Sequence, residues 1–180
     1  VLMAAVKAKG TTMLTNAAIE PEITALARFL VKMGAKIDGI GTTQLEIEGV
    51  DELRAVDEEI VPDRIEAATF MVAAAMTKGD VELTNVNPYH LAAVIGRMEE
   101  TGAIIDVNGN TIRVTMNEDI QPVDITTSVY PGIPTDVQAQ WTAYMLAAQG
   151  TSKVVDNIYT DRFKHIPELQ RLGADISVSD

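Results

Sequence analysis

The sequence contains no cysteine and only two histidines, His90 and His165, among its 180 residues. The absence of cysteine excludes disulfides, thiolate metal sites and a cysteine nucleophile from this stretch of chain. The two histidines lie far apart in sequence, so we do not expect a histidine-rich metal site. Long apolar runs are absent as well, since none approaches the roughly eighteen residues that a membrane-spanning helix needs.

Basic residues are scarce relative to acidic ones: 14 Lys and Arg stand against 26 Asp and Glu, which gives a net charge of −12 at pH 7. This charge disfavours nucleic acid and anionic membranes as partners. It also opposes small anionic ligands at long range, so a site for such a ligand would depend on a few local cations. With 47% apolar and 22% charged residues, the chain is expected to fold around a substantial core.

A short motif occurs three times, each time after a small-residue apolar helix and before a second helical pattern that ends at Gly-Ala. The copies are GTTMLTN (10–16), GDVELTN (79–85) and GTSKVVDN (150–157). The Gly-Ala landmarks begin at Gly34, Gly102 and Gly173, so the periods are 68 residues (102 − 34) and 71 residues (173 − 102). Landmarks that return in the same order indicate three copies of one structural unit.

Within a copy, the pattern predicts a second helix followed by strands. The first copy has apolar residues at helical spacing over 23–33, behind Pro21, and the second copy repeats this helix behind Pro88. The segment QLEIEG (44–49) alternates between apolar and polar residues, as a half-buried strand does. In the second copy, two alternating segments flank Asn108-Gly109, which predicts a β-hairpin.

The first helix of each copy has a different composition from the second. FMVAAAM (70–76) is apolar on every side, which predicts complete burial, and we expect the same of residues 1–6 and 144–148. Helices enclosed by half-polar strands define an inside-out α/β (α+β) fold, built from units of about 70 residues with buried central helices. The third copy ends after one further predicted strand, DISVSD (175–180), so we expect the chain to be part of a longer protein.

Two copies begin their buried helix with similar segments, PDRIEAATF (62–70) and PTDVQAQWT (134–142). Each fits a capping box, in which two side chains satisfy the free backbone amides of the first helical turn. The predicted pairs are Asp63 with Glu66, and Thr135 with Gln138.

Asp136 lies inside the second of these helix starts, and its counterpart in the preceding copy is Arg64. The repeat therefore does not require an acid at this position. Two interpretations remain open. The positive end of the helix dipole favours an acid there, or Asp136 is a carboxylate held at a helix tip, facing a crevice, as a proton acceptor.

Arg162 breaks the repeat, because it matches the apolar residues Ile23 and Leu91 of the other copies. Pro167 would interrupt a helix interior. We therefore expect the second helix of the third copy to begin late, and residues 157–166 to form a loop. Arg162 is then either a solvated surface cation or part of a site in the same crevice as the acid described above.

Four segments carry a resemblance to a known family. They are TNAAIEPEITALARFLVKMGAKIDGIGT (15–42), VPDRIEAATFMVAAA (61–75), PTDVQAQ (134–140) and DRFKHIPELQRLGA (161–174). Over essentially its whole length the chain resembles the UDP-N-acetylglucosamine 1-carboxyvinyltransferases, the enolpyruvyl transferases that open peptidoglycan precursor synthesis. The related enolpyruvylshikimate phosphate synthases share the repeat but lack the last two motifs.

The resemblance implies two similar domains, each an inside-out α/β barrel of three such units, with the active site in the cleft between them. Residues 1–60 would be the last unit of one domain. Residues 61–180 would be two units of the other domain, the second of them truncated. The remainder of its own chain is therefore an expected partner.

The resemblance also implies a reaction and its residues. The substrates would be UDP-N-acetylglucosamine and phosphoenolpyruvate, with no cofactor and no metal, in a cytoplasmic enzyme of cell-wall synthesis tied to cell shape and division. Asp136 matches the base that accepts the proton of the attacking sugar hydroxyl, and Arg162 matches an arginine of the cleft. Ile158 and Tyr159 match the pair beside the nucleotide sugar, and Thr135 is placed with them as a substrate-binding residue.

The sequence departs from the family pattern at two kinds of position. Ile19 stands where the family usually has an arginine, and Ile133 stands where it usually has an aromatic residue. The family's Lys-Asn pair and cysteine-bearing loop have no counterpart, so we expect these 180 residues alone to be inactive. Two alternatives stay open: a shikimate-type enolpyruvyl transferase, and a repeat scaffold without catalytic function.

Overall fold

The computed structural model describes residues 1–159 and 161–179, and these form two compact units that meet in sequence at the Val61–Pro62 bond. We describe each unit separately. Their assignment to two domains of a longer protein stays a prediction. Within the described residues, no helix is both long enough and apolar enough to cross a lipid bilayer.

The first unit has the element order helix, strand, helix, strand, strand. Its elements are α1 (Leu2–Val6), β1 (Thr11–Thr15), α2 (Pro21–Lys32), β2 (Lys36–Asp38) and β3 (Gln44–Glu48). The strands form an antiparallel sheet in the order β1-β3-β2. Leu45 and Ile47 of β3 are buried while their neighbours are exposed, which confirms the predicted alternation.

The second unit begins with the same arrangement. Its first elements are α3 (Arg64–Met76), β4 (Asp80–Leu83), a 3₁₀ turn (Pro88–Leu91), α4 (Ala92–Glu100), β5 (Ile104–Asn108) and β6 (Thr111–Thr115). The antiparallel sheet has the order β4-β6-β5, so first, third and second strand lie in the same order as before. The predicted hairpin is confirmed, and Gly109 adopts the positive φ of 58° that its turn requires.

The third copy of the repeat follows in the same unit but is arranged differently. Its elements are β7 (Ile125–Thr126), a 3₁₀ turn (Thr135–Val137), α5 (Gln138–Met145), β8 (Val154–Val155) and α6 (Ile166–Arg171). The strands β7 and β8 pair in parallel. Helix α6 begins immediately before Pro167, so the late helix start is confirmed and Arg162 lies in a turn.

The last predicted strand is wrong within the described residues. Residues 175–179 of DISVSD form no strand, and Asp180 lies outside the described residues. The physical reason is that an alternating pattern becomes a strand only where a second strand pairs with it.

The prediction of complete burial for the three apolar helix segments is also wrong within this chain. Met71 and Ala75 of α3 are buried, whereas Phe70 is 52% exposed and Met76 is 38% exposed. The other two segments likewise combine buried with exposed residues: Val1, Met3 and Ala4 are exposed in the first, and Leu146 in the other. Each segment is apolar all round, but the described residues cover only part of its circumference.

One of the two predicted capping boxes has a different structure. Asp63 caps α3 as expected, since its side chain accepts hydrogen bonds from the amides of Ile65 (2.8 Å) and Glu66 (3.1 Å). Thr135 caps nothing, and its hydroxyl donates to the Asp156 carboxylate at 2.6 Å. The carboxylate of Asp156 is a charged acceptor, and a hydrogen bond to a charged acceptor is stronger than one between a neutral hydroxyl and a helix amide. The Thr135 side chain therefore turns toward Asp156.

The core of the second unit contains a buried polar contact between copies. The Thr101 hydroxyl donates to the Met98 carbonyl oxygen (2.5 Å), so the hydroxyl of Tyr144 must be the donor in its 2.6 Å contact with Thr101. Tyr144 also packs edge to face on Trp141, with ring centroids 5.5 Å apart. This cluster fixes α5 against the end of α4.

A second buried polar group is the carboxylate of Asp156, which directly follows β8 and is 7% exposed. It accepts hydrogen bonds from the hydroxyls of Thr127 (2.8 Å) and Thr135 (2.6 Å). It also accepts from the amides of Ile158 (2.9 Å) and Tyr159 (2.8 Å). Burial raises the pKa of Asp156, but the four hydrogen bonds together lower it by more than burial raises it. The pKa of Asp156 therefore lies below its ordinary value.

We predict that Tyr144→Phe lowers the free energy of unfolding by about 1 kcal/mol, the usual value of one buried hydrogen bond. In the double variant with Thr101→Val the loss should be smaller than the sum of the two single losses, because both remove the same contact. Urea unfolding of the chain measures this. Tyr89→Phe is the control, since Tyr89 is 86% exposed. Strict additivity would contradict the contact.

We also predict a pH dependence from Asp156. A carboxyl whose folded pKa is lowered stabilises the fold above its unfolded pKa, and this contribution is lost as the pH falls through the folded pKa. Asp156→Asn should therefore lower the free energy of unfolding by about 1–3 kcal/mol near pH 7. The difference from the unmodified chain should shrink as the pH falls below the ordinary value of 3.8.

Urea titrations of both chains between neutral and acidic pH test this dependence. Asp161→Asn, which changes a 74% exposed side chain, serves as the control. If the difference in the free energy of unfolding between the two chains is constant with pH, the charge of Asp156 does not contribute to stability.

Candidate active site

The two charged residues singled out in the sequence meet in the structure. Asp136 lies in the 3₁₀ turn before α5, and Arg162 lies in the turn before α6. A guanidinium nitrogen of Arg162 (Nη1) donates to Oδ1 of Asp136 at 2.6 Å. The expectation that the two side chains lie on the same side of the molecule is met by this contact, while the crevice between them and their chemical roles stay predictions.

The pair is accessible to solvent, because the side chain of Asp136 is 51% exposed and that of Arg162 is 36% exposed. Ion pairs at such exposure contribute about 0–1 kcal/mol to stability. The fold therefore does not depend on this contact. A carboxylate and a guanidinium held together at the surface are instead available to a ligand.

The loop before Arg162 supplies an apolar surface next to the ion pair. The guanidinium of Arg162 lies 5.5 Å from the ring centroid of Tyr159, and its backbone amide donates to the Tyr159 carbonyl oxygen at 3.1 Å. Ile158 is 45% exposed and Tyr159 is 54% exposed. Two exposed apolar side chains beside a cation suit a ligand that combines a ring with an anionic group.

Thr135 is adjacent to Asp136 but differs in what it can offer. Its hydroxyl hydrogen is directed at Asp156, so only the lone pairs of its oxygen remain for another group. Direct binding of substrate by Thr135 stays a prediction. Its observed contact attaches the turn that carries Asp136 to a buried carboxylate.

Two residues near the site were missed by the sequence reasoning. Asp156 holds both halves of the site, and its position in the motif is occupied by Thr15 and Thr84 in the other copies, a difference that was visible in the sequence. Arg64 is buried, and its guanidinium lies 5.6 Å from the ring centroid of Tyr130 in the turn before Asp136. No sequence signal connects Arg64 with Tyr130.

The histidine beside the site does not add positive charge. His165 stacks on Phe163 with ring centroids 6.5 Å apart. Burial lowers the pKa of His165 below its ordinary value, which favours the uncharged ring. Within the described residues, no group of three or more His, Asp or Glu side chains could hold a metal ion.

Comparisons with known proteins agree with the resemblance in the sequence. The family model described as EPSP synthase (3-phosphoshikimate 1-carboxyvinyltransferase) matches residues 1–180. The chain is 54% identical over 179 residues to the UDP-N-acetylglucosamine 1-carboxyvinyltransferase of Chlorobaculum parvum, covering 99% of this chain and 42% of that protein. It is 49% identical over 178 residues to the enzyme of that name from Myxococcus xanthus, with the same coverage. The chain thus spans less than half the length of these relatives.

Solved structures show the same fold. The enolpyruvyl transferase NikO from Streptomyces tendae superimposes with a TM-score of 0.85 at 26% identity, over 99% of this chain and 43% of that protein. EPSP synthase from Acinetobacter baumannii aligns with a TM-score of 0.51 at 18% identity, over 99% and 42% of the two chains, which supports the fold alone. The predicted fold class, the α/β fold of the enolpyruvyl transferases, is confirmed. With a family match along its entire length, the chain belongs to the EPSP synthase family.

Proposed function

We propose that this chain is part of a UDP-N-acetylglucosamine 1-carboxyvinyltransferase, which transfers the enolpyruvyl group of phosphoenolpyruvate to the 3′-hydroxyl of UDP-N-acetylglucosamine. The relatives at about half identity that bear this name support the substrate assignment. The observation that carries the site is the 2.6 Å contact of Asp136 with Arg162, for which the second copy has Arg64 and Leu91 at the matching positions.

In this proposal Asp136 is the general base. The sugar oxygen forms a bond to the enolpyruvyl carbon, the bond from that carbon to the phosphate oxygen breaks, and inorganic phosphate leaves. Asp136 accepts the hydroxyl proton while the new carbon–oxygen bond forms. Asp136 suits this step because its carboxylate is half exposed. The sugar hydroxyl can therefore reach it.

Arg162 has two tasks in this proposal. It orients the Asp136 carboxylate through the contact at 2.6 Å. It also supplies positive charge for an anionic substrate group, which a chain of net charge −12 does not attract at long range. Ile158 and Tyr159 would pack against the nucleotide sugar, and Thr135 would border it.

The whole activity needs more than this chain. Because the chain spans about 42% of its relatives' length, we infer that phosphate-binding cations and further catalytic groups come from other parts of a longer protein. We propose that residues 1–60 and 61–180 belong to its two domains, and that the described residues alone are inactive. The enzyme would be cytoplasmic, cofactor-independent, and required for peptidoglycan synthesis, cell shape and division.

A second candidate is an enolpyruvyl transferase that acts on a shikimate phosphate, which the name of the family model favours. A repeat scaffold without catalysis is the third candidate. It offers no reason for an exposed acid and an exposed arginine to meet where the repeat is broken.

We predict that the full-length protein is retained on a UDP-N-acetylglucosamine matrix and not on a shikimate 3-phosphate matrix. The physical reason is that the exposed Ile158 and Tyr159 side chains offer apolar surface to a nucleotide sugar. Retention on the shikimate matrix alone would favour the second candidate, and retention on neither would favour the scaffold.

We predict that Asp136→Asn in the full-length protein lowers kcat at least about a hundredfold, because asparagine keeps the shape but cannot accept the proton. The affinity for the UDP-sugar should change far less, and stability should fall by under about 1 kcal/mol because the ion pair is half exposed. Steady-state kinetics and thermal unfolding measure the two effects.

The matched control for this substitution is Asp119→Asn. Asp119 is 65% exposed and pairs with Lys78 at 2.8 Å, so the control breaks a comparable surface ion pair away from the site. Turnover near that of the unmodified protein, together with a large loss of melting temperature, would assign Asp136 a structural role instead.

A further inference from the structure

The carboxylate of Asp156 has one oxygen for each half of the candidate site. Oδ2 accepts from the hydroxyl of Thr135, the residue immediately before Asp136. Oδ1 accepts from the amides of Ile158 and Tyr159, which begin the loop that leads to Arg162. One side chain therefore contacts both segments that carry the site.

These contacts form a closed ring. One branch runs from Asp156 through Thr135 to Asp136. The other runs from Asp156 through Tyr159, whose carbonyl oxygen accepts from the amide of Arg162 at 3.1 Å. The branches meet where Arg162 donates to Asp136 at 2.6 Å. A shift of the carboxylate therefore changes the relative position of base and guanidinium.

The ring is anchored to the sheet. Thr127, which directly follows β7, is fully buried; its hydroxyl donates to Oδ1 of Asp156 at 2.8 Å and accepts from the Asn157 amide at 3.1 Å. Asp156 itself is 7% exposed. The carboxylate is thus held between a strand and two surface segments.

The other copies of the repeat do without this arrangement. Threonine occupies the position of Asp156 in both, as Thr15 and Thr84. In the second copy the helix start is satisfied by its own cap, Asp63. Within the described residues, the second copy builds its helix start without a carboxylate from a distant segment, so the fold of the unit does not demand one.

We propose that Asp156 is a positioning residue, which sets the placement of Asp136 and of the Ile158–Tyr159 backbone without touching the substrate. This inference rests on the proposed function. Reactions that depend on the placement of a base lose about a hundredfold in rate for a displacement of about 1 Å. The two oxygens of Asp156 therefore have separable effects on turnover and on sugar binding.

Substitution of Asp156 by asparagine separates the effects of its two oxygens. The amides of Ile158 and Tyr159 can only donate, so the single carboxamide oxygen of Asp156→Asn must face them. The NH2 group of the asparagine then faces Thr135, so the hydroxyl of Thr135 loses its charged acceptor and meets a neutral donor instead. Asp156→Asn and Thr135→Val consequently remove the same charge-assisted hydrogen bond, on the Asp136 side of the ring. Asp156→Ala breaks both sides.

The test uses the full-length protein with kcat and KM for the UDP-sugar as readouts. We expect Asp156→Asn and Thr135→Val each to lower kcat roughly tenfold, with KM almost unchanged in Asp156→Asn, and their double variant to be no slower than Asp156→Asn. Asp156→Ala should lower kcat and also raise KM. Tyr144→Phe, which weakens the core away from the site, should leave both constants unchanged.

A second readout keeps the inference separate from the proposed function. The NMR chemical shifts of the backbone amides of Asp136 and Arg162 should both change in Asp156→Asn. They should not change in Tyr144→Phe. If they move but no enolpyruvyl transfer occurs in the unmodified protein, the proposed function fails and the positioning role stands. Unmoved shifts, or rate losses that simply multiply in the double variant, would overturn the positioning role.

Discussion

A carboxylate inside a protein needs donors to replace the water that it has lost, and Asp156 obtains four of them from three different segments. Two come from hydroxyls, of Thr127 and Thr135, and two from the amides of the loop after β8. Thr127 directly follows β7 and ties the carboxylate to the sheet, whereas Thr135 and the two amides lie in turns, so this one charge helps to determine where those turns lie. The turn that carries Asp136 and the loop that carries Arg162 are arranged around it.

The three copies of the repeat show which features the unit needs and which are additions. The first two copies share their strand order and an alternating, half-buried third strand (β3 and β6), because packing of an apolar core selects the same solution twice. The third copy keeps the apolar helix but replaces the neighbouring strands by a short parallel pair and two polar turns. Thr135, which was expected to cap its first helix, binds Asp156 instead. Its second helix is shortened to Ile166–Arg171.

The charges at the candidate site differ from those of the chain as a whole. The chain as a whole is strongly acidic, with a net charge of −12. At the site, however, Arg162 faces the Asp136 carboxylate, and burial lowers the pKa of His165, three residues further along the chain. An anionic ligand would therefore be recognised by short-range contact with a guanidinium and apolar side chains rather than by long-range attraction. The buried Asp156 acts on this site through hydrogen bonds, because its own charge is satisfied by neutral donors.

The sequence by itself determined the repeat, the hairpin at Asn108-Gly109, the late start of α6 and the pairing of Asp136 with Arg162 in one region. These follow from local periodicity, turn chemistry, proline geometry and comparison of the copies. Only the tertiary structure decided that Thr135 binds Asp156 instead of capping a helix, and that Arg64 lies under Tyr130. It also decided that Phe70 and Met76 stay exposed on an all-apolar helix. The physical reason is that hydrogen-bond partners and burial are set by residues distant in sequence, which local patterns do not bring together.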